Sequence, residues 1–359
     1  MQAIWFALAA ILIAIYVVMD GFDFGAGALH LSVAKDDRER RQVLAAIGPF
    51  WDGNEVWLLA AGGVLFLAFP KVLASSLSGF YLAIFLLLWV LLLRGIAIEF
   101  RSQLSDRMWR SFWDTTLAGA SMLAPVLLGA TLGNVLRGVP LDRDGWFALP
   151  LFDRFSPTGG LGILDWYTVL AGVFALVAVT HHGALFLAWR TDGAVRMRSL
   201  NRAAGLFPVL IALWILATVA TARVSPEIFQ GLGAHPLAWV ATVLFFAGLA
   251  VCFRARRQGR DLVAFVGSGA FLLGLLAATV ASIYPTMLKS SLDSSLSLTA
   301  DNEWHHAELP LGQLLKAQNV TSAVKGIVFA NYADKDYLGC GIGGNHFLTT
   351  YWIDNFEIR

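Results

Sequence analysis

Long apolar runs alternate with short polar segments along this chain. A run of roughly 17–25 residues is long enough for an α-helix to cross about 30 Å of hydrocarbon. Runs close to this length predict eight transmembrane helices, at residues 3–28, 54–69, 77–98, 117–136, 164–189, 206–222, 236–253 and 262–284. The longest segment between them, 137–163, is rich in Pro, Gly and Asp and predicts a surface loop. The pattern therefore predicts an all-α fold, a polytopic transmembrane helix bundle.

Positive charge alternates between successive connections of these helices. The odd-numbered connections carry Lys35, Arg38, Arg40 and Arg41; Arg101, Arg107 and Arg110; Arg190, Arg196, Arg198 and Arg202; and Arg254, Arg256, Arg257 and Arg260. The even-numbered connections are poor in Lys and Arg, apart from the long segment 137–163. The positive-inside rule then places the odd-numbered connections in the cytoplasm and the N-terminus outside it. The first run has neither a positive n-region nor a small-residue cleavage site, so it predicts a retained helix.

Composition supports a membrane protein and excludes several other classes. Hydrophobic residues make up 57% of the 359 residues, charged residues 14%, and the mean hydropathy is +0.66. Soluble domains carry roughly 25% charged residues. A net charge of +1 gives no basic excess for binding nucleic acid. Cys252 and Cys340 are far apart and in no metal-binding spacing, so they predict no metal site.

Two pairs of carboxylates lie near the predicted cytoplasmic ends of the first two helices. Asp20 and Asp23 are three residues apart, on one helix face. They are either a proton-accepting or ion-pairing site, or solvated charges at a helix end. Asp52 and Glu55 have the same spacing at a helix N-terminus, where the helix dipole stabilises negative charge. They either take up protons from the cytoplasm or are simple helix-start charges.

Basic and aromatic residues flank these carboxylates. Arg94 lies about one turn inside the third helix, so its permanent charge must reach the interface or find a carboxylate. Its candidate partners are Glu99, Asp20 and Asp23. Arg101 is expected at the inner membrane surface. Trp51 and Trp57 suit interfacial anchors. Together with Asp20, Asp23, Arg94, Glu99 and Arg101 they are alternatively expected to form a charge cluster or a subunit contact.

Adjacent histidines, His181 and His182, lie in the inner half of the fifth helix. Neighbouring side chains on a helix point roughly 100° apart, so both cannot serve one planar site. One of them could be an axial haem ligand, but hydrogen bonding within the bundle is the favoured interpretation, since we find no partner His or Met at a matching depth. His30 ends the first helix and is expected at the interface.

Several motifs together resemble subunit II of the cytochrome bd-type (cyanide-insensitive-like) quinol oxidases. They are DGFDFGAG at 20–27, GPFWDGNEVW at 48–57, AAGG at 60–63 with FP at 69–70, RG at 94–95 with EFR at 99–101, and YP at 284–285 with SLSLT at 295–299. The resemblance covers residues 1 to about 300.

The resemblance implies a heterodimer in the bacterial inner membrane that oxidises quinol and reduces oxygen to water. Subunit I would hold haem b and haem d and meet the quinone pool, and subunit II, a multi-pass chain with a periplasmic N-terminus, would support it. Asp52 matches the acidic residue of a cytoplasmic proton path, and Asp20 and Asp23 match an acidic pair of the first helix. Some relatives hold a structural quinone in subunit II, and lipid and small accessory subunits are further expected partners.

The chain departs from the family pattern after about Asp301. The family has nine helices, whereas residues 301–359 form a polar tail without a run able to span. We therefore divide the chain into a helix bundle, 1–300, and a divergent tail, 301–359. The tail residues His305, His306 and Cys340 predict no metal site.

Two other functions remain open at the level of the residues. A proton-coupled secondary transporter would require broken helices near the midplane and internal repeats. An assembly scaffold without a proton role would leave Asp52 as a helix cap only. The resemblance favours the oxidase subunit, which would not be catalytic alone.

Overall fold

The computed structural model describes residues 2–142, 144–153, 161–292 and 297–299, and the predicted tail 301–359 lies outside them. The described residues form helices α1 (Gln2–Val33), α2 (Asp37–Ile47), α3 (Trp51–Ala68), α4 (Pro70–Gly79), α5 (Tyr81–Phe100), α6 (Arg107–Arg137), α7 (Trp166–Arg190), α8 (Gly193–Val224), α9 (Glu227–Ala234), α10 (Pro236–Arg257) and α11 (Asp261–Ile283). Strands β1 (Thr286–Lys289) and β2 (Ser297–Thr299) pair antiparallel.

The prediction of an all-α membrane bundle is confirmed. Seven of the described helices are long and apolar enough to span a membrane, and there are eight if α3 and α4 count as one broken span. These two helices are bent by 118° across Phe69. Pro70 explains the break, because it lacks an amide proton and favours the first position of a new helix. Residues 77–79 consequently belong to α4, and the third predicted helix begins at Tyr81 instead of residue 77.

Polar sequence extends the bundle beyond the apolar runs. Helix α6 begins ten residues before the predicted start, because Asp106 caps it by accepting a hydrogen bond from the Trp109 amide. The amphipathic α2 follows α1 and was not predicted, since it is too short and polar to span. Asp36 caps α2 through the Glu39 amide, and Ile47 is among the side chains that α2 buries.

Ion pairs show that the arginine-rich connections meet at one end of the bundle, here called the basic end. Asp37 of α2 binds Arg101, which follows α5. Glu39 of α2 binds Arg198 of α8 at 2.5 Å. Arg196 of α8 binds Asp261 at the start of α11, and the two groups are 2.6 Å apart. The odd-numbered, arginine-rich connections therefore lie at the same end of the bundle, as expected when successive helices cross the membrane in opposite directions.

The long segment 137–163 is not the plain surface loop that its composition predicts. Leu141, Phe147 and Ile163 are buried and form a small core with Phe80 and Leu288. The rings of Phe80 and Phe147 meet edge to face, with centroids 5.0 Å apart. Apolar residues among the Pro, Gly and Asp of this segment thus cover the other end of the bundle.

Helices α1 and α7 approach each other closely at the centre. A Cβ added to Gly25 would lie 2.0 Å from the Val179 carbonyl oxygen and 2.8 Å from the Gly183 backbone. Only residues without a side chain allow this approach. Helix α1 also packs against α3, α6 and α11, so it carries its acidic residues into the interior.

Candidate functional site

Arg94 lies at the centre of a buried ion cluster, named here the Arg94 cluster (Asp20, Glu55 and Arg94). Its Nη1 donates to Asp20 Oδ1 at 2.6 Å, and its Nη2 donates to Glu55 Oε1 at 2.6 Å. The guanidinium also stands 4.2 Å above the ring of Phe24. The Arg94 side chain is 1% exposed, so it is paired inside the bundle instead of reaching the interface. Glu99, a candidate partner, is exposed at the end of α5.

Asp23 does not pair with Arg94 but binds a neighbouring amide. Asn54 Nδ2 donates to Asp23 Oδ2 at 2.7 Å and to the Met19 carbonyl oxygen at 3.0 Å. Asp20 Oδ2, Asp23 Oδ1 and the Tyr16 hydroxyl oxygen are buried and make no hydrogen bond of standard geometry among the described residues, although the Tyr16 hydroxyl interacts with the Asp20 carboxylate. Such atoms are positions where water or a proton is expected to bind.

The second carboxylate pair differs strongly in exposure. Asp52 is exposed in the first turn of α3, whereas Glu55 is partly buried against Arg94. The N-cap of α3 is Phe50, and no side-chain capping bond forms there, so Asp52 does not act as a cap. The positive end of the α3 helix dipole still stabilises the Asp52 carboxylate, because Asp52 lies in the first turn of α3.

Both tryptophans pack on the bundle. The ring of Trp51 faces Gly95 of α5, where an added Cβ would meet it at 3.1 Å. Trp57 packs on a core cluster that includes Tyr16 and Val90. These contacts fix the first two turns of α3 against α1 and α5.

A second buried network, centred on Asp114 of α6, lies at the basic end. Asp114 Oδ1 is 2.6 Å from His30 Nε2 and accepts from Arg101 Nε at 2.5 Å. Its Oδ2 accepts from Arg40 Nη1 at 2.8 Å. The Asp114 network also includes Asp37, which accepts from Arg101 Nη2 at 2.9 Å.

The Asp114 network corrects the expectation for His30 and shows how Arg101 is held at the basic end. His30 is fully buried, not interfacial, because the start of α6 covers the end of α1. Arg101 is also buried, with 2% of its side chain exposed. Asp114 is a site residue that the sequence analysis does not predict, because it precedes the apolar run 117–136 and lies in the polar first turns of α6.

Charge sharing in this network alters proton affinities outside the spans. Partial burial alone would raise the pKa of Asp37, but hydrogen bonds and charge from Arg101, together with Arg110 and Arg41, hold that pKa below its ordinary range. A hydrogen bond from Arg198 is the main cause that lowers the pKa of Glu39. Both carboxylates therefore stay charged around neutral pH.

An apolar cavity of about 360 Å³ lies between α6, α7, α8, α10 and α11. Hydroxyl groups line it but are already satisfied: Thr218, Thr242 and Thr279 each donate to the carbonyl oxygen one turn earlier. The hydroxyls of Tyr167 and Thr221 lie 2.9 Å apart. The cavity thus presents a largely apolar wall.

The two buried histidines of α7 differ in their hydrogen bonding. His182 Nε2 donates to the Val18 carbonyl oxygen at 3.1 Å, and its Nδ1 is 2.5 Å from Ser268 Oγ. His181 packs against Phe207 and does not line the cavity. An axial ligand needs a free ring nitrogen facing the haem, so His182 is better explained by hydrogen bonding within the bundle, whereas His181 Nε2 is buried without a hydrogen-bond partner among the described residues. The described residues also contain no group of three or more His, Cys, Asp or Glu that could hold a metal ion.

Comparison with known proteins identifies the family. Residues 1–308 match the model of the family "Cytochrome bd terminal oxidase subunit II". The chain is 33% identical to cytochrome bd ubiquinol oxidase subunit 2 of Bacillus subtilis, over 83% of this chain and 85% of that protein. It is 30% identical to cytochrome bd-I ubiquinol oxidase subunit 2 of Escherichia coli K12, over 83% and 84%.

A solved structure supports the same fold. The bd oxidase from Geobacillus thermodenitrificans contains a chain that superposes with a TM-score of 0.63 at 20% identity, covering 88% of this chain and 92% of that one. The match to the family extends over most of the sequence, including both carboxylate pairs and Arg94. The chain therefore belongs to the cytochrome bd terminal oxidase subunit II family.

Proposed function

We propose that this chain supports the haem-bearing subunit of a cytochrome bd quinol oxidase and takes up protons at Asp52 for oxygen reduction. The observation that carries the proposal is a graded series of carboxylates. Asp52 is exposed, Glu55 is partly buried and Asp20 is fully buried. Ionisable groups inside a membrane protein usually pair with one another or mark a proton or water path, and this series supports both roles.

In this proposal Asp52 collects a proton at the basic end, which the positive-inside rule assigns to the cytoplasm. The membrane is then the bacterial inner membrane, with the N-terminus in the periplasm. Glu55 follows one turn deeper in α3, where Arg94 holds its carboxylate beside Asp20. The unpartnered oxygens of Asp20 and Asp23 offer the next positions for water or a proton. Protons taken from the cytoplasm to reduce oxygen move charge across the membrane without a pump.

The exposed face of α3 is the surface that we assign to subunit I. Within this chain α3 buries only Asn54 and Ala61. Leu59, Phe66 and Leu67 on the same helix are exposed by 63–75%. A helix that carries Asp52 and Glu55 and has so little cover of its own is better suited to a protein partner than to lipid, because charged groups in hydrocarbon are costly. Glu99 and Asp52 lie at the basic end of this surface.

The haem groups, b and d, are assigned to subunit I. His182 supports the assignment, because both of its ring nitrogens are used in hydrogen bonds, and His30 Nε2 is used by Asp114. The haem groups supply the electron transfer and oxygen chemistry of the complex. This chain's residues contribute packing and proton delivery.

The apolar cavity is where a structural quinone would bind this chain. A quinone's isoprenoid tail needs an apolar channel, and the cavity is lined by groups such as Leu170, Phe174 and Leu275. Tyr167 and Thr221 form the polar part of the wall, but their hydroxyls bind each other and the Ala217 carbonyl oxygen, so the cavity suits the tail better than the quinone ring. We also retain the division into a bundle, 1–300, and a tail, 301–359, as a proposal.

The experiment is an Asp52→Asn variant of the two-subunit complex, assayed for quinol-driven oxygen consumption and for haem by reduced-minus-oxidised spectra. We expect normal haem content and turnover that falls roughly tenfold or more, since a proton-transfer group is lost. Asp192→Asn is the matched control, because Asp192 is another exposed aspartate at the basic end. Unchanged turnover in Asp52→Asn would leave a scaffold without a proton role.

The transporter hypothesis is set aside, because the chain belongs to an oxidase subunit family.

A further inference from the structure

The arginines of the basic end fall into two groups. Arg196 and Arg198 of α8 are paired with carboxylates. Arg256 and Arg257, at the end of α10, have no carboxylate within 4.0 Å among the described residues. Unpaired guanidinium groups at a membrane surface invite an anionic partner, because each retains its full charge and its donors.

Aromatic rings hold these two arginines in place. Phe207 of α8 stacks on Phe253 of α10, with ring centroids 5.4 Å apart and planes inclined by 29°. The guanidinium of Arg257 stands 4.2 Å above the Phe253 ring, and that of Arg256 lies 5.8 Å from the Phe207 ring. Because each cation rests on an aromatic face, part of its conformational freedom is already lost before any ligand binds.

The surroundings of this platform contain further unmet polar groups. Arg256 Nε is buried without a hydrogen-bond partner among the described residues, and so is Nε2 of His181, whose ring packs against Phe207. His181 is 2% exposed. The Arg256 Nε and His181 Nε2 atoms therefore lack hydrogen-bond partners among the described residues, although the side chains around them are buried.

We propose that the platform of Phe207, Phe253, Arg256 and Arg257 binds the headgroup phosphate of an anionic phospholipid in the leaflet at the basic end. A guanidinium binds a phosphate through two parallel N–H···O bonds. In a zwitterionic headgroup the headgroup's own cation offsets the phosphate charge, so the attraction is weaker. The platform lies where the apolar helix α10 reaches its arginines, which is the depth of lipid headgroups.

The helix surfaces below the platform suit acyl chains. Helices α8 and α10 meet through aromatic rings, at Phe207 with Phe253 and at Trp214 with Phe245. Further from the basic end, α10 exposes Val243 by 66% and Phe246 by 50%. A charged headgroup site above an apolar, membrane-facing helix pair fits an amphiphile better than it fits free phosphate.

The test measures lipid binding to the purified two-subunit complex in detergent. Phosphatidylglycerol, phosphatidylcholine or inorganic phosphate is titrated, and bound lipid is counted by native mass spectrometry while the melting temperature is followed. We expect phosphatidylglycerol to bind and raise the melting temperature, and the other two to have little effect. Arg257→Gln should weaken the phosphatidylglycerol affinity about fivefold, the effect expected of one cation near an anionic surface.

Arg107→Gln is the matched control, because Arg107 is an exposed arginine at the same end but on α6. It should bind phosphatidylglycerol as the unaltered complex does. Arg257 is exposed, so its replacement leaves the buried packing intact. Equal affinity in the Arg257→Gln and unaltered complexes would overturn the proposal. An equal loss in Arg107→Gln, or equal stabilisation by inorganic phosphate or phosphatidylcholine, would overturn it as well.

Discussion

Arg94 and Asp20 form a buried ion pair although 74 positions separate them in the chain. The guanidinium nitrogen and the carboxylate oxygen are 2.6 Å apart, and the two side chains are 1% and 0% exposed. The pair joins α5 to α1, and Glu55 adds α3 to the same guanidinium. A buried ion pair of this kind contributes only modestly to the free energy of unfolding. Removing one partner destabilises the protein strongly, because the other charge stays buried without compensation.

Arg94→Gln should therefore destabilise the complex strongly. We expect a loss of about 3–5 kcal/mol in the free energy of unfolding, because the Asp20 carboxylate would remain in the interior without its cation. Thermal unfolding of the purified complex, followed with haem content, measures the effect.

The double variant Asp20→Asn with Arg94→Gln tests the cause. Removing both charges should restore part of the stability that Arg94→Gln loses, since no unpaired charge is left inside. If the double variant is less stable than the single one by the full effect of Asp20→Asn, the two residues are not coupled and the ion-pair account fails.

Asp114 should matter far more than Asp37, although both bind Arg101. The Asp114 side chain is fully buried and Asp37 is 35% exposed. Asp114→Asn leaves buried Arg101 without its main anion, for an expected cost of about 3–5 kcal/mol. Asp37→Asn should cost less than about 1 kcal/mol, because solvent screens a partly exposed pair. Chemical denaturation of the complex carrying each variant distinguishes them, and equal losses would contradict the burial argument.

The spans could be predicted from sequence because their length and apolar character are local properties. The eight predicted spans match seven long helices and the broken pair α3–α4. The break itself is signalled by Phe69-Pro70, whereas the contact of Gly79 in α4 with the Phe147 ring appears only in the fold. Helix α2 escaped prediction, because its short amphipathic pattern becomes informative only once a bundle end exists to bury it.

The site was partly predictable for a related reason. Charged residues in apolar runs are easy to find, which is how Asp20 and Arg94 were recognised as candidate partners. Which residues meet depends on helix neighbours, so the contact of Arg94 with Glu55 and that of His30 with Asp114 could not be derived. The latter pair is separated by 84 positions, and only the fold brings α1 and α6 together there.

Acid should weaken the contacts of α2 at the basic end. The pKa of Asp37 lies below its ordinary value of 3.8, because hydrogen bonds and charge from neighbouring arginines outweigh its partial burial. The pKa of Glu39 lies below its ordinary value of 4.5, mainly because Arg198 donates a hydrogen bond to it. Groups with a lowered folded pKa stabilise the protein fully above the ordinary pKa, and this contribution is lost as pH falls through the folded pKa. We therefore expect melting temperature to decline as pH drops below about 4.5. The decline should be shallower in Asp37→Asn, and an identical pH profile in that variant would exclude a role for Asp37.

The close approach of α1 and α7 predicts that Gly25 and Gly183 tolerate no larger residue. A Cβ on Gly25 would lie 2.0 Å from a backbone oxygen, and one on Gly183 would lie 2.4 Å from the Ala26 amide nitrogen. Backbone atoms cannot rotate away as side chains do, so the helices must separate. Gly25→Ala or Gly183→Ala should cost about 1–3 kcal/mol, as overpacking of a close-packed interior does.

Helix propensity predicts the opposite sign for the same substitution where space is available. An added Cβ at Gly205 of α8 would have no atom within 4 Å apart from its own helix backbone and chain neighbours. Gly205→Ala should be neutral or stabilise by up to about 1 kcal/mol, since alanine favours helix over glycine. Thermal unfolding of the three variants in the assembled complex measures the contrast.

Because Asp20 and Asp23 lie on the same helix as Gly25, a separation of α1 from α7 should also shift the carboxylates relative to Arg94 and Asn54. Gly25→Ala should therefore lower turnover together with stability, and full turnover in a destabilised Gly25→Ala complex would show that the acidic pair does not depend on this packing.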